Sequence, residues 1–118
     1  MNAQKQKKND FWSWRNFMYK FLNQINPDYF ESICAFAQME MLEAGYAGVT
    51  EFHYIHNDLL GNPYNTLSEM SQRVLNASYQ SGIGLTLLPV LYEQGGVFGD
   101  NLISGQKRFG LNLDEFFK

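Results

Sequence analysis

The chain has 118 residues and a formal net charge of −3, with 45% hydrophobic and 16% aromatic residues. This composition excludes a disordered chain, and the acidic balance excludes nucleic acid as the main partner, because phosphate binding needs a basic face. The sequence has no apolar run long enough to span a bilayer, so we expect no membrane partner. Its single cysteine, Cys34, excludes an internal disulfide and fits a reducing compartment, which predicts a cytoplasmic protein.

The first ten residues are polar and contain the lysine cluster Lys5, Lys7 and Lys8. A charge cluster in a polar segment is typical of a solvated tail. We therefore predict a disordered polar leader over residues 1–10 and one domain over residues 11–118.

Two helices are predicted at the start of this domain. The first runs from position 11 to about 23 and is apolar almost all round, which predicts burial on every side. The second begins at Pro27 with Asn26 as its N-cap, and it ends near Ala44 because Gly45 follows.

Two apolar strands follow helices that end at a glycine. We predict the first strand over residues 49–54 and the second over 83–92. Between them lie a loop and a helix that opens at Thr66 with capping-box spacing to Glu69. The unbroken apolar run of the second strand predicts that both of its faces are covered.

The order of these elements predicts the fold class. A helix between two apolar strands is typical of parallel α/β proteins. Because two strands are too few for a stable sheet, the sequence predicts part of a larger barrel or sheet. A glycine-rich connection over residues 94–105 and a helix from about 111 to 118 complete the chain.

Arg15 is the first candidate site residue. Its helical neighbours at three and four residues are Phe11, Trp12, Met18 and Tyr19, so none is acidic. A guanidinium in an aromatic stripe needs a distant carboxylate or phosphate, or it must reach water. Two interpretations remain open: a structural ion pair with Glu51, Asp58 or a further segment, and the binding of an anionic ligand.

Tyr54 is the second candidate, because the carboxyl ends of parallel strands are where α/β barrels place ligand-contacting groups. The alternative is a tyrosine that closes the core with its hydroxyl group in water. His53 and His56 could bind a metal together only if the strand ended between them, so we expect core or loop histidines. Cys34 lies in the middle of a helix without a neighbouring base, which predicts a buried thiol rather than a nucleophile.

Four segments in this order resemble the formimidoylglutamate deiminase family of the amidohydrolase superfamily. They read FWSWR, AGYAGVTEFHYIH, GIGLTLLPVLY and GQKRF, and they occupy residues 11–15, 44–56, 82–92 and 105–109. The resemblance implies a partial (β/α)8 barrel around barrel strands 2 and 3. It also implies an enzyme of histidine degradation that uses a divalent metal, usually zinc, to hydrolyse N-formimidoyl-L-glutamate to N-formyl-L-glutamate and ammonia. Carried over by motif, the substrate-binding residues are Arg15 and Tyr54.

The sequence departs from the family pattern in its metal ligands. The family's first pair of histidines has no counterpart in residues 1–10, its later ligands would lie beyond Lys118, and Asn57 stands where a second histidine is expected after His56. We therefore expect a fragment that supplies substrate-binding residues, contains no catalytic residue, binds no metal alone and is inactive in isolation.

The resemblance also implies the partners. They are the small-molecule substrate and the remainder of the barrel, and a homo-oligomer is compatible with the sequence. The alternative function is a non-catalytic small α/β protein that binds an anionic ligand or a partner chain through Arg15 and its aromatic neighbours.

Overall fold

A computed structural model describes residues 11–118, and the predicted polar leader lies outside these residues. The elements in chain order are α1 (Phe11–Leu22), α2 (Pro27–Glu43), β1 (Gly48–His53), α3 (Glu69–Ser81), β2 (Gly84–Pro89), a 3₁₀ helix (Ser104–Phe109) and α4 (Leu113–Phe116).

The sheet of the described chain has two parallel strands. β1 pairs with β2 in a register that places Gly48 opposite Gly84 and His53 opposite Pro89. α3 connects the two strands, so the predicted α/β class with a parallel pair is confirmed. β1 has the predicted length and is displaced by one residue toward the N-terminus, whereas β2 ends at Pro89 and is shorter than the predicted run over 83–92.

Helices α2 and α3 cover one face of this sheet. Cys34 of α2 packs with Val74 and Ala77 of α3, and Leu85 and Leu87 of β2 pack against this cluster. Both helices begin and end near the predicted residues, because their ends are set by local sequence. The Asn26 side chain accepts a hydrogen bond of 2.8 Å from the Tyr29 amide, and Gly45 and Gly82 adopt positive φ at the two helix ends.

The predicted capping box at the start of α3 does not form. Ser68 is the N-cap and its side chain makes no capping hydrogen bond. The amide of Glu69 instead donates to the Thr66 carbonyl at 3.0 Å, so a backbone turn satisfies a donor of the first helical turn. The Glu69 side chain accepts a hydrogen bond from Arg73 at 2.9 Å.

Arg73 links the two covering helices on their outer side. Its guanidinium contacts Asp28 and Glu31 of α2 at 2.8 and 3.0 Å, and Glu69 of α3 at 2.9 Å. These hydrogen bonds raise the pKa of Arg73 and lower the pKa of Glu31. Since the network is partly exposed, we assign it a small share of the stability.

Arg108 of the 3₁₀ helix is a buried cation that joins three parts of the chain. Its guanidinium donates to the carbonyls of Leu22 and Ile25 at the end of α1, and its Nε donates to the Asn57 carbonyl at 3.1 Å. The carbonyl of Arg108 accepts hydrogen bonds from the amides of His56 and Asn57 at 2.9 and 3.0 Å. These contacts hold α1 against the loop that follows β1.

The other face of the sheet is open among the described residues, which corrects the prediction of strands covered on both sides. Burial alternates along β1 and β2, and Phe52 on the open face is 66% exposed. The expectation of an α1 buried on every side is also wrong, because Phe11, Trp12, Phe17 and others along it are exposed. The apolar composition predicted that other segments would bury α1 and the second face of the sheet, and residues 11–118 do not contain those segments.

The 3₁₀ helix was not predicted; it begins at the end of the predicted glycine-rich connection and continues beyond it to Phe109. Gln106 stabilises this region: its amide nitrogen donates to the Tyr92 hydroxyl at 3.2 Å and to the Gly95 carbonyl at 3.4 Å, and its oxygen accepts from the Ile103 amide. Among residues 11–118, no helix is both long and apolar enough to cross a membrane.

The exposed apolar surface of α1 predicts that the chain self-associates. Phe17 and Phe21 are both exposed on α1. We call the variant with Phe17→Lys and Phe21→Lys the double-lysine variant, and it should shift the chain toward monomer. Light scattering coupled to gel filtration over a range of concentrations measures this shift. The matched control is Tyr79→Lys on the outer side of α3, which should leave association unchanged. A monodisperse monomer of the unmodified chain would contradict the prediction.

Candidate functional site

An apolar cleft lies between α1 and the end of β1. It has a volume of about 430 Å³, and its lining includes Arg15 and Tyr54. The structure therefore brings together the two candidate residues from distant parts of the sequence. Phe30, Tyr92 and Phe109 contribute apolar walls.

Arg15 lies in this cleft between two aromatic rings of its own helix. Its guanidinium carbon is 4.5 Å from the ring centroid of Trp12 and 5.7 Å from that of Tyr19. Cation–π attraction orients a guanidinium without satisfying its N–H donors. The Nε atom of Arg15 is buried and has no hydrogen-bond partner among residues 11–118.

Neither of the named structural partners pairs with Arg15 in the described part of the chain. The Asp58 carboxylate accepts hydrogen bonds from the amides of Leu60 and Asn62 at 2.8 and 2.9 Å, so it caps its own turn. Glu51 lines the same cleft and its burial raises the pKa of its carboxyl group, but it forms no ion pair with Arg15. Arg15 thus retains unused capacity for an anion.

Tyr54 lies one residue beyond the end of β1. Its ring contacts the rings of Tyr92 and Phe109 with centroid separations of 6.4 and 6.0 Å. The side chain is 41% exposed, and its hydroxyl group has no hydrogen-bond partner among the described residues. An aromatic body fixed by neighbours and a free hydroxyl group suit contact with a polar ligand.

His53, which lines the cleft, forms a buried pair with His56. β1 ends at His53, so the backbone turns and the two ring centroids lie 5.1 Å apart, nearly perpendicular. His56 contacts the Val90 carbonyl through Nε2 at 3.0 Å, whereas the Nε2 of His53 is buried without a partner among residues 11–118. Burial lowers the pKa of both rings, that of His53 to about 4 with a further contribution from His56.

The described residues do not fit the zinc ion that the resemblance implies. A protein zinc site needs three or four nitrogen, sulfur or oxygen ligands around one point. No group of three such side chains converges within residues 11–118, and the Nε2 of His56 is engaged by Val90. The histidines are buried loop and strand residues here, as expected.

Cys34 and Asn57 have structural roles. Cys34 is buried, as predicted, and burial raises the pKa of its thiol to about 12, which makes thiolate chemistry unfavourable. The Asn57 side chain donates to the carbonyls of Gly110 and Lys107 at 2.6 and 3.3 Å. Asn57 therefore ties the loop after β1 to the 3₁₀ helix, a task that a histidine would not perform in the same way.

Sequence reasoning missed the part played by the 3₁₀ helix. Phe109 lines the cleft, and its ring contacts both Tyr19 and Tyr54, at 6.3 and 6.0 Å. The GQKRF motif was visible in the sequence as one of the four matching segments, but nothing local indicated that it would reach back to α1. These contacts define an α/β segment whose unpaired polar groups face an apolar cleft.

Comparison with solved structures identifies this architecture as amidohydrolase-like. The chain superposes on the crystal structure of an amidohydrolase from Brucella melitensis with a TM-score of 0.87 and 42% sequence identity. The match covers 98% of this chain and 26% of that protein.

Among curated proteins, the chain is similar to formimidoylglutamate deiminase from Pseudomonas aeruginosa, with 46% identity over 99 residues. These residues are 84% of this chain and 22% of the relative, so the chain spans about a fifth of that enzyme. No protein-family model matches the chain. The resemblance to this family within the amidohydrolases, as a segment, is therefore confirmed.

The buried histidines predict that the chain loses stability in mild acid. An unfolded histidine titrates near pH 6.5, whereas folded His53 titrates near 4, so the unfolded state binds more protons between these values. The His53 contribution is present above pH 6.5 and is lost as the pH falls toward 4. Lowering the pH from 7 to 5.5 should cost about 1 kcal/mol for His53.

Urea unfolding of the double-lysine variant at several pH values measures this cost. His53→Gln, which cannot titrate, should make the dependence between pH 7 and 5.5 less steep and leave the part that comes from His56. This range lies above most carboxylate titrations. An unchanged slope in His53→Gln would show that the acid sensitivity has another origin.

The ligand geometry predicts that the 118-residue chain holds no stoichiometric zinc. Metal analysis after dialysis against a buffer with trace zinc should find much less than one ion per chain. One tightly held zinc that disappears in His53→Gln would reveal a site completed by His53.

Proposed function

We propose that this chain is the substrate-holding segment of a metal-dependent deiminase that hydrolyses N-formimidoyl-L-glutamate to N-formyl-L-glutamate and ammonia. The observation that carries the proposal is the shared cleft of Arg15 and Tyr54, in which both polar groups lack partners among residues 11–118. The relationship to formimidoylglutamate deiminase supports the substrate class.

The position within a barrel belongs to the same proposal. We assign β1 and β2 to strands 2 and 3 of a (β/α)8 barrel, with α2 and α3 in the outer layer. Two strands are a quarter of an eight-stranded barrel, and the chain covers 26% of the Brucella amidohydrolase. The open face of the sheet, with Phe52 and Leu88, would then face the barrel interior.

Each residue has a defined task in this proposal. The Arg15 guanidinium binds a carboxylate of the glutamyl skeleton, because its planar N–H donors match a carboxylate and no described acid occupies them. The Tyr54 hydroxyl group hydrogen-bonds the ligand, while Phe109 and Phe30 exclude water from the cleft wall. Exclusion of water strengthens the charge-assisted contact.

The hydrolytic step is assigned to no residue of this chain. The described histidines lack the geometry of a metal site, so activation of water requires residues beyond those described here. The segment alone is expected to bind ligand weakly and to turn over no substrate. We also propose a cytoplasmic location, which fits one buried free cysteine.

The rival function, a non-catalytic α/β protein that binds an anion or a partner chain, shares the Arg15 site. It is not favoured, because the curated relative is an enzyme and the similarity extends over 84% of the chain. An activity assay separates the two functions.

A chimaeric enzyme tests the proposal. The stretch of the Pseudomonas deiminase that the chain matches is exchanged for the 99 matching residues of this chain, and ammonia release from N-formimidoyl-L-glutamate is measured. Arg15→Met should lower kcat/KM by about one to two decades, because a charge-assisted hydrogen bond contributes roughly 1.5–3 kcal/mol. Arg15→Lys should recover part of this loss, since it keeps the charge without the planar fork. Tyr54→Phe should cost less, roughly 0.5–1.5 kcal/mol.

The matched control is Arg73→Met, which removes an arginine on the outer helices. It should leave kcat/KM unchanged in the same chimaera. A chimaera in which Arg15→Met retains kcat/KM but melts at a lower temperature would make Arg15 a structural residue and refute the assignment.

A further inference from the structure

Within the GQKRF motif only Phe109 lines the cleft, yet the 3₁₀ helix that the motif forms contacts Tyr19 beside Arg15 and also contacts Tyr54. We propose that Gly105 and Phe109 are positioning residues, which set the placement of Arg15 through Tyr19 and that of Tyr54 directly. The inference rests on the proposed function for its ligand, but the contacts themselves exist in the free chain.

Gly105 is required by space. Its backbone lies against the face of the Tyr19 ring, and a Cβ atom at this position would meet the ring carbons Cγ and Cδ2 at 2.8 Å. The φ of Gly105 lies outside the positive range, so no conformational demand explains the glycine. A side chain here would have to displace the ring near its attachment, which cannot be accommodated cheaply.

Tyr19 transmits this contact to Arg15. The same ring lies 5.7 Å from the guanidinium carbon, with Trp12 closer at 4.5 Å on the same helix. The guanidinium has no described hydrogen bond through Nε, so the two rings are what orient it. Moving the Tyr19 ring therefore changes where the guanidinium lies in the cleft.

Phe109 acts on the second residue of the site. Its ring contacts Tyr19 on one side and Tyr54 on the other, and it is almost fully buried. The preceding residue, Arg108, holds the end of α1 by donating hydrogen bonds to the carbonyls of Leu22 and Ile25. The 3₁₀ helix is thus a rigid spacer that fixes the separation of Arg15 and Tyr54.

The test reads the Arg15 side chain directly. The sequence has three arginines, so the double-lysine variant shows three Nε–H signals in an NMR spectrum. Arg73 donates through Nε to Glu69 on the outer helices, which makes its signal an internal reference, and Arg108 donates through Nε to the Asn57 carbonyl. Neither lysine substitution replaces a residue that lines the cleft.

Gly105→Ala should move the Arg15 signal in the ligand-free chain and leave the Arg73 signal in place. It should also weaken binding of N-formyl-L-glutamate, followed through the same signal, by about tenfold. The matched control is Gly110→Ala at the end of the same helix, where a Cβ would meet Leu102 Cδ1 and no atom of α1. Gly110→Ala should leave both the Arg15 signal and the affinity unchanged.

A second substitution separates positioning from packing. In Gly105→Ala/Tyr19→Leu the smaller side chain gives room to the new methyl group, so the melting temperature should recover while the affinity stays low. Recovery of both would show that Gly105 serves packing alone and would overturn the inference. Phe109→Leu provides an independent variant: it should move the Arg15 signal and the Tyr54 ring signals together.

Failure of the inference and failure of the proposed function give different results. If N-formyl-L-glutamate leaves the Arg15 signal of the parent variant unchanged, the proposed ligand is wrong, while the ligand-free spectra still decide the positioning role. If the ligand moves that signal but Gly105→Ala and Gly110→Ala give identical Arg15 signals, the proposed function stands and the positioning role is refuted.

Discussion

The buried guanidinium of Arg108 is the interaction on which the arrangement of this chain depends. It is 2% exposed and faces no carboxylate among residues 11–118. Burial of an unpaired charge is costly, so its compensation must come from dipoles. The carbonyls of Leu22 and Ile25 lie where the α1 dipole is negative, and the Asn57 carbonyl adds a third acceptor. Three backbone carbonyls from two distant segments thus replace the water that would solvate the guanidinium.

This constraint explains why Arg15 and Tyr54 share a cleft. α1 makes few contacts with the sheet, so its placement depends on the 3₁₀ helix, through Arg108 at its end and Gly105 on Tyr19. The loop after β1 is held by the same helix, through the amides of His56 and Asn57. One short helix therefore fixes both walls of the site. The covering helices α2 and α3, which Arg73 links, support the strands but do not position Arg15 and Tyr54 relative to each other.

The sequence predicted the parts of the fold that depend on local chemistry. Asn26, Pro27 and Gly45 fix the ends of α2 within one turn, and the apolar runs located both strands. The prediction that both faces of the second strand are covered was wrong for residues 11–118. The apolar content of a strand reflects its contacts in a complete protein, and those contacts need not all come from this chain. The capping box failed because a backbone turn used the same donor. Arg108 and the 3₁₀ helix were missed because their contacts join residues that are distant in sequence.

The same distinction applies to the candidate site. Arg15 was identified because its helical neighbours carry no acid, a local property, and the structure shows that Glu51 and Asp58 do not supply one from afar. Arg15 with its unused donors, Tyr54 with its free hydroxyl group and Phe52 of the open sheet face all line the same cleft. Buried polar groups in folded proteins are nearly always hydrogen-bonded, so the buried Nε of Arg15 calls for a partner outside the described residues. The polar deficit and the apolar excess thus point to one surface, where the proposed glutamyl ligand would supply a carboxylate to Arg15.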